Sequence, residues 1–253
     1  MSFVRMLKAV LFDVDGTIAE TEELHRRAFN AAFAELGLDL SWSQDEYRGL
    51  LRVTGGKERI TAYFRAKGVE LPAEEVAGIH RRKTEIYVDD LAAGRVTLRP
   101  GVLRLWKQLR AEEVPMGIAT TTTEANVDSL LAPVLGPEWR GHFACIVAGD
   151  QVPKKKPAPD VYLACLDRLG IAASEAVAIE DSQGGIGAAR AAGIPVVVTP
   201  SSYTDQDDFS CADCVLPGLG DPEQPWDAAQ PGFPRRWVDL EDLRRIVAQA
   251  GQG

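Results

Sequence analysis

Histidine is scarce in this chain, with three residues, His25, His80 and His142, among 253. Chemistry built on a cluster of imidazoles is therefore excluded. Cysteine is nearly as sparse, with four, Cys145, Cys165, Cys211 and Cys214. Cys211 and Cys214 form a C-x-x-C spacing, but no second pair exists and the histidines are far off in sequence. A redox pair would also sit at a helix start near the first strands. The expectation is small residues beside a surface strand. Positive charge is in deficit: the net charge is −9, which argues against broad nucleic-acid binding. A local cationic pocket for a phosphorylated small molecule remains open. No run approaches the roughly 20 apolar residues of a membrane helix. The opening stretch MSFVRMLKAVLFDVD has too short an apolar centre for a signal peptide, so the expected location is cytoplasmic. Repeats, low-complexity runs and a G-x-x-x-x-G-K phosphate loop are all missing. What remains is an ordinary globular composition, 45% apolar and 26% charged, sufficient for one large domain or one domain with an insertion.

LKAVLF, residues 7–12, reads as a buried strand. From Glu20 to Leu36 apolar residues recur near a 3.6 spacing, with Gly37 as a helix stop. Helical patterns continue over 44–50, 57–67 and 73–90 without a strand signal. After the turn Arg99-Pro100-Gly101 the pattern changes. Strand-like runs VPMGIATT, FACIVAG, EAVAIE and IPVVVTP alternate with helical ones. Such alternation means βαβ units and a mostly parallel, doubly wound α/β sheet with helices on both faces. The expected division is a Rossmann-like core over 1–19 and 92–253, interrupted by an all-helical cap over 20–91. LPGLGDPEQPWDAAQPGFPRRW reads as a loop or strap, and WVDLEDLRRIVAQA as a closing helix.

In an open α/β sheet, ligands bind beyond the carboxyl ends of the strands. Four polar elements fall there: Asp13-Val14-Asp15, the threonines 120–123, Lys156 within KKKPAPD, and Glu180-Asp181-Ser182. Clustered carboxylates repel one another unless a hard, oxygen-seeking cation such as Mg²⁺ joins them. A phosphate dianion with ionised Asp13, Glu180 and Asp181 totals about −5, against +2 from Mg²⁺ and +1 from Lys156. Asp15 can stay protonated in such a field. With metal, a carboxylate can attack a phosphate and form an aspartyl-phosphate.

DVDGT, the strand-end threonines, Lys156-Pro157 and EDS, in that order, closely resemble the haloacid-dehalogenase-like phosphohydrolases. The resemblance narrows to the β-phosphoglucomutase-like branch, and within it to the CbbY-type phosphatases that act on xylulose-1,5-bisphosphate, a misfire product inhibiting Rubisco. The stretches carrying this are DGTIAETEELHRRAFN, LLRVTGGKERI, HRRKTEIYVDDL, GIATTTTEANVDSLL and KKPAPDVYL. The resemblance implies roles. Asp13 is the nucleophile. Asp15 is general acid and then base. Thr121 binds phosphate, with Thr120 or Thr122 as the neighbouring alternative. Lys156 neutralises charge, whereas Lys154 and Lys155 are expected in solvent. Mg²⁺ is held by the Asp13 carboxylate, the Asp15 backbone carbonyl, and Asp181 with Glu180, the last directly or through another group.

A sugar bisphosphate needs a second anion site about a sugar length from Asp13, and cationic cap residues suit it. The candidates are Arg48, Arg52, Lys57, Arg59 and Lys83. Lys57 follows Thr54-Gly55-Gly56, whose backbone N–H groups can cradle a phosphate. Arg81 and Arg82 are expected at the surface. Glu20 is a candidate for sugar hydroxyls, and His25, on one helix face with Thr21, for substrate contact or proton transfer. Tyr47 lines the pocket or belongs to the cap core. The expected partner is a small sugar phosphate, with neither nucleic acid nor membrane. Oligomeric state is not readable, and a monomer suffices. Two alternatives stand beside the phosphatase: a mutase that returns phosphate to the sugar, and a non-catalytic binding protein on the same fold.

Overall fold

The structure, a computed structural model, describes residues 6–250. Residues 1–5 and 251–253, including Arg5 of the opening stretch, lie outside the described residues. Six parallel strands form one sheet, in spatial order β3-β2-β1-β4-β5-β6. They are β1 (Ala9–Phe12), β2 (Met116–Ala119), β3 (Cys145–Val147), β4 (Ala176–Glu180), β5 (Val196–Val198) and β6 (Cys214–Val215). The central strands read AVLF, MGIA, AVAIE and VVV and are buried throughout. Continuous apolar runs rather than alternation are what a sheet covered on both faces demands. One face packs against α5 (Val102–Ala111), α6 (Glu124–Leu135) and α9 (Leu240–Gln249), the other against α7 (Asp160–Leu169) and α8 (Gln183–Ala191).

β6, at the sheet edge, is the surface strand expected beside the cysteine pair. It carries Cys214, half-buried beside exposed Cys211, and burial lifts the Cys214 thiol to about 11. A protonated thiol is a poor ligand and a poor nucleophile. The proline-rich stretch has no regular structure. It is pinned where buried Trp226 donates from Nε1 to Gly218 O at 2.9 Å.

Between β1 and α5 lie α1 (Glu22–Glu35), α2 (Gln44–Leu50), α3 (Gly56–Ala66) and α4 (Ala73–Ala92). They share their own apolar cluster: Phe29, Phe33, Trp42, Tyr47, Ile60, Val76 and Ile79 are buried together. Ser43 and Glu46 close a reciprocal capping box that starts α2. The chain enters and leaves this helical unit by two adjacent linkers that touch at an Ala19–Leu98 bridge. Arg99 staples them to the core. Its guanidinium donates to Gly16 O, to Thr199 O at 2.8 Å and to Pro200 O at 2.7 Å, and it pairs with Glu20 at 3.2 Å.

Candidate active site

Asp13 stands one residue past β1, and its N–H donates to Ile179 O at 3.0 Å, fastening the loop to β4. The Lys156 ammonium arrives from the loop after β3 and uses its three donors fully. They go to Asp13 Oδ1 at 2.6 Å, Glu180 Oε1 at 2.7 Å and Ala119 O at 2.8 Å. Tyr162 on α7 adds a hydroxyl to the same Glu180 oxygen at 2.5 Å. Gly185 permits this packing, since a Cβ there would lie 1.9 Å from Glu180 Oε2. Gly16, at φ 82°, likewise leaves room for Asp181, whose Oδ2 would be 2.1 Å from a Cβ.

Asp13, Glu180 and Asp181 offer ligand oxygens within 4.8 Å of one another, all buried. One ammonium does not balance three carboxylates. Burial, with Glu180 adding repulsion, pushes Asp13 up to about 7 despite the neighbouring Lys156. Burial, then Asp13 and Glu180, raise Asp181 well above the usual carboxylate range. Burial alone would discharge Lys156, but the two carboxylates hold it charged, above its ordinary value. Glu180 Oε2 is buried with no hydrogen-bond partner, a costly state for a carboxylate. An all-oxygen donor set with an orphaned anionic atom fits a hard divalent cation.

Asp15 faces a different environment. Thr21 Oγ1 donates to its Oδ1 at 2.5 Å, and His25 Nε2 lies 3.2 Å from the same atom. Lys83 Nζ of α4 sits 2.6 Å from His25 Nδ1. When Lys83 is an ammonium it only donates, and in that state Nδ1 accepts and Nε2 carries the proton toward Asp15. Burial brings Lys83 down to about 7, and burial with Lys83 lowers His25. At neutral pH His25 is thus a neutral donor. Burial would raise Asp15, but His25 and Thr21 bring it down to about 2. With no phosphate present, the Asp15 carboxyl is bonded to donors from the linker and α1, and the crowding falls on Asp13 and Asp181.

The threonine run separates by geometry. Thr120 is buried, and its hydroxyl accepts from Thr122 N at 3.1 Å. Thr122 Oγ1 accepts from Asn126 Nδ2 at 2.9 Å, and Thr123 caps α6. Thr121, Thr122 and Thr123 line a cavity of about 510 Å³, together with Asp13, Asp15, His25, Lys57, Arg59, Lys83, Lys156 and Asp181. Glu180 lies just behind this wall, through Lys156. Thr54, Gly55 and Gly56 also border it, as the start of α3.

Four candidates, Glu20, Arg48, Tyr47 and Arg52, stand away from the cavity wall. Glu20 accepts from Ser202 Oγ at 3.0 Å beside Arg99. Arg48 donates to Ser202 O at 3.0 Å. Tyr47 is fully buried in the helical unit, where it donates to Glu22 at 3.0 Å and accepts from Arg59 Nη1 at 2.8 Å. It therefore braces a cavity-lining arginine. Arg52 is exposed, and Arg82 pairs with Glu35 and Glu85. Lys155 is not simply in solvent: half-buried, it lines the cavity and binds Glu58 at 2.8 Å. Arg81 and His80 border the cavity too, and burial with surrounding lysines lowers His80 to about 4. His80, Asn126, Tyr162 and Arg99 were missed. Only Tyr162 left a trace, as the polar member of the apolar stripe in DVYLACL.

The model of the haloacid dehalogenase-like hydrolases matches residues 7–193. The chain belongs to that family, and its activity is that of a phosphatase. More particularly, it is similar to the plasmid-encoded protein CbbY of Cupriavidus necator, 50% identical over 94% of this chain and 96% of that one. The crystal structure of CbbY from Rhodobacter sphaeroides in complex with phosphate superposes with a TM-score of 0.79. It is 47% identical, covering 84% of this chain and 95% of that one. A variant of the same protein in complex with xylulose-(1,5)-bisphosphate gives a TM-score of 0.79 at 46% identity, with the same coverage. Among the described residues, no helix is long and apolar enough to cross a membrane.

Proposed function

We propose that the chain is a Mg²⁺-dependent, cytoplasmic phosphatase that hydrolyses xylulose-1,5-bisphosphate through an aspartyl-phosphate on Asp13. The observation that carries this is the buried trio Asp13, Glu180 and Asp181 within 4.8 Å, with Glu180 Oε2 unpartnered. Asp13, Asp181, the Asp15 backbone carbonyl and Glu180 would hold Mg²⁺, which when bound offsets carboxylate charge and polarises the phosphate. Asp13 attacks phosphorus and the bond to the sugar oxygen breaks. Lys156 stays on Asp13 and screens it from the incoming anion. The Thr121 hydroxyl, on the cavity wall, meets a phosphate oxygen.

Asp15 rests as a carboxylate, the form needed to take a proton from water in the second step. For the first step it must be protonated, and Lys83–His25–Asp15 is a continuous hydrogen-bonded route for that proton. Residues 20–91 act as a cap that excludes water. The start of α3, with Lys57 and Arg59, supplies the far anion site of the bisphosphate.

The test is a Mg²⁺-dependent phosphate-release screen over pentulose and hexose mono- and bisphosphates. Xylulose-1,5-bisphosphate should show the highest kcat/KM. A preference for a monophosphate would reject the substrate and the far anion site together.

A further inference from the structure

Residues 201–204 follow β5 and belong to the core by sequence, yet Tyr203 is buried in the aromatic cluster of the helical unit. Its ring meets Tyr47 edge-on at 5.8 Å and lies 5.8 Å from the Arg48 guanidinium. Its hydroxyl donates to Glu23 of α1. The adjoining Ser202 is gripped by Arg48 through its carbonyl at 3.0 Å and by Glu20 through its hydroxyl at 3.0 Å. One residue further on, Thr204 points the opposite way. Its Oγ1 lies 3.2 Å from Asp181 Oδ2, and Ser201 holds it there through N–H and hydroxyl contacts, each 2.9 Å. Thr204 also reaches the cavity wall. A single tight turn thus joins the cap's aromatic core to one cation-site carboxylate.

We propose that Tyr203 is a positioning residue: seated in the cap, it holds Thr204 against Asp181, so that cation affinity depends on the cap being docked. This rests on the reading of Asp181 as a Mg²⁺ ligand. Removing a hydrogen-bond partner of a metal-ligating group commonly costs 10–100-fold in metal affinity. Thr204 acts on the carboxylate and Tyr203 acts only through Thr204, so the two side chains form one unit whose effects do not add.

The experiment is Mg²⁺ titration calorimetry, without substrate, on the full chain and on Thr204→Val, Tyr203→Leu and the double variant. Thermal unfolding is followed alongside. Thr204→Val should weaken Mg²⁺ about 10-fold or more, Tyr203→Leu by several-fold, and the double variant no more than the weaker-binding single. Tyr203→Phe, which keeps the ring and so the fold, should show a smaller loss of the same sign. Thr204→Ser should restore binding. A Tyr203→Leu protein that melts earlier but binds Mg²⁺ like the unmodified chain would overturn the link. So would losses that multiply in the double variant. If the unmodified chain binds no Mg²⁺, the metal reading itself fails, a result distinct from either.

Discussion

Glu180→Gln separates two roles that one carboxylate plays. The replacement is nearly isosteric, and its amide oxygen can still accept from Lys156 and Tyr162 as Glu180 Oε1 does. What disappears is one negative charge within 4.8 Å of Asp13 and Asp181. At about 5 Å and an effective dielectric constant of about 20, two unit charges interact by about 3 kcal/mol. That is about two pKa units. In the metal-free protein Asp13, now pushed up to about 7, should fall to about 5. Its titration can be followed by carbon-13 NMR of labelled aspartate carboxyls. Mg²⁺ affinity should move the other way for function, falling 10-fold or more, because the unpartnered Oε2 is lost as an anionic atom. Calorimetry reads that directly. The variant should thus hold a more readily ionised nucleophile and still release phosphate slowly at low Mg²⁺. An Asp13 midpoint that stays put would refute the charge-crowding account. An unchanged Mg²⁺ affinity would remove Glu180 from the cation site.

Other outcomes follow from the same geometry. Without metal, Asp13 and Asp181 keep protons in the folded state that the unfolded chain has released above pH 3.8. Stability should therefore decline as pH rises from about 4 to about 7, and Mg²⁺ should abolish the decline; thermal melts in chelator and in Mg²⁺ check this. Asp15, held at about 2, contributes with the opposite sign, and its stabilisation is lost as pH falls from 3.8 through 2. Thr21→Val removes the 2.5 Å bond to Asp15 and should lower kcat about tenfold or more with little change in KM, as loss of an interaction worth roughly 1.5–3 kcal/mol would; steady-state kinetics decide. Tyr47→Phe leaves Arg59 and Glu22 without their shared hydroxyl, which should cost about 1–3 kcal/mol in urea unfolding. Turnover of p-nitrophenyl phosphate should stay near normal.

Much of this molecule is legible in its sequence, and the reasons differ by element. AVLF, MGIA, AVAIE and VVV are apolar throughout because both faces of the sheet are covered, so their strand character and parallel pairing can be read directly. Asp13, the threonines, Lys156 and Glu180-Asp181 converge because strand ends in such sheets share one edge. Side chains on the helical unit are harder. Helical spacing places Tyr47 and Arg59 on separate helices, and does not say which of them meets the cavity. Arg48 and Glu20 point to the 199–204 segment, some 154 and 182 residues away in the chain, and nothing local announces that segment. Its sequence, TPSSYT, carries no motif or periodicity that marks it. Protonation is hidden for a related reason: which carboxylate is crowded depends on facing partners, and Thr21, His25 and Lys83 reach Asp15 only in three dimensions.

Thr21 occupies the position that starts α1, yet its hydroxyl makes no capping bond, being engaged with Asp15. Helix starts of this kind commonly gain about 1 kcal/mol from a capping side chain, and here that gain is forgone. One hydroxyl is contested by a helix and by a reaction centre. The contest has a practical side. A library of variants sorted for heat resistance would favour aspartate or asparagine at residue 21, because either caps well. Aspartate there would set a second carboxylate against Asp15, and either residue, once capping, would give up the Thr21 bond to Asp15 and lower turnover. Position 21 is therefore a place where ordinary stabilising rules should be suspended, and where a hotter melting point should be read as a warning.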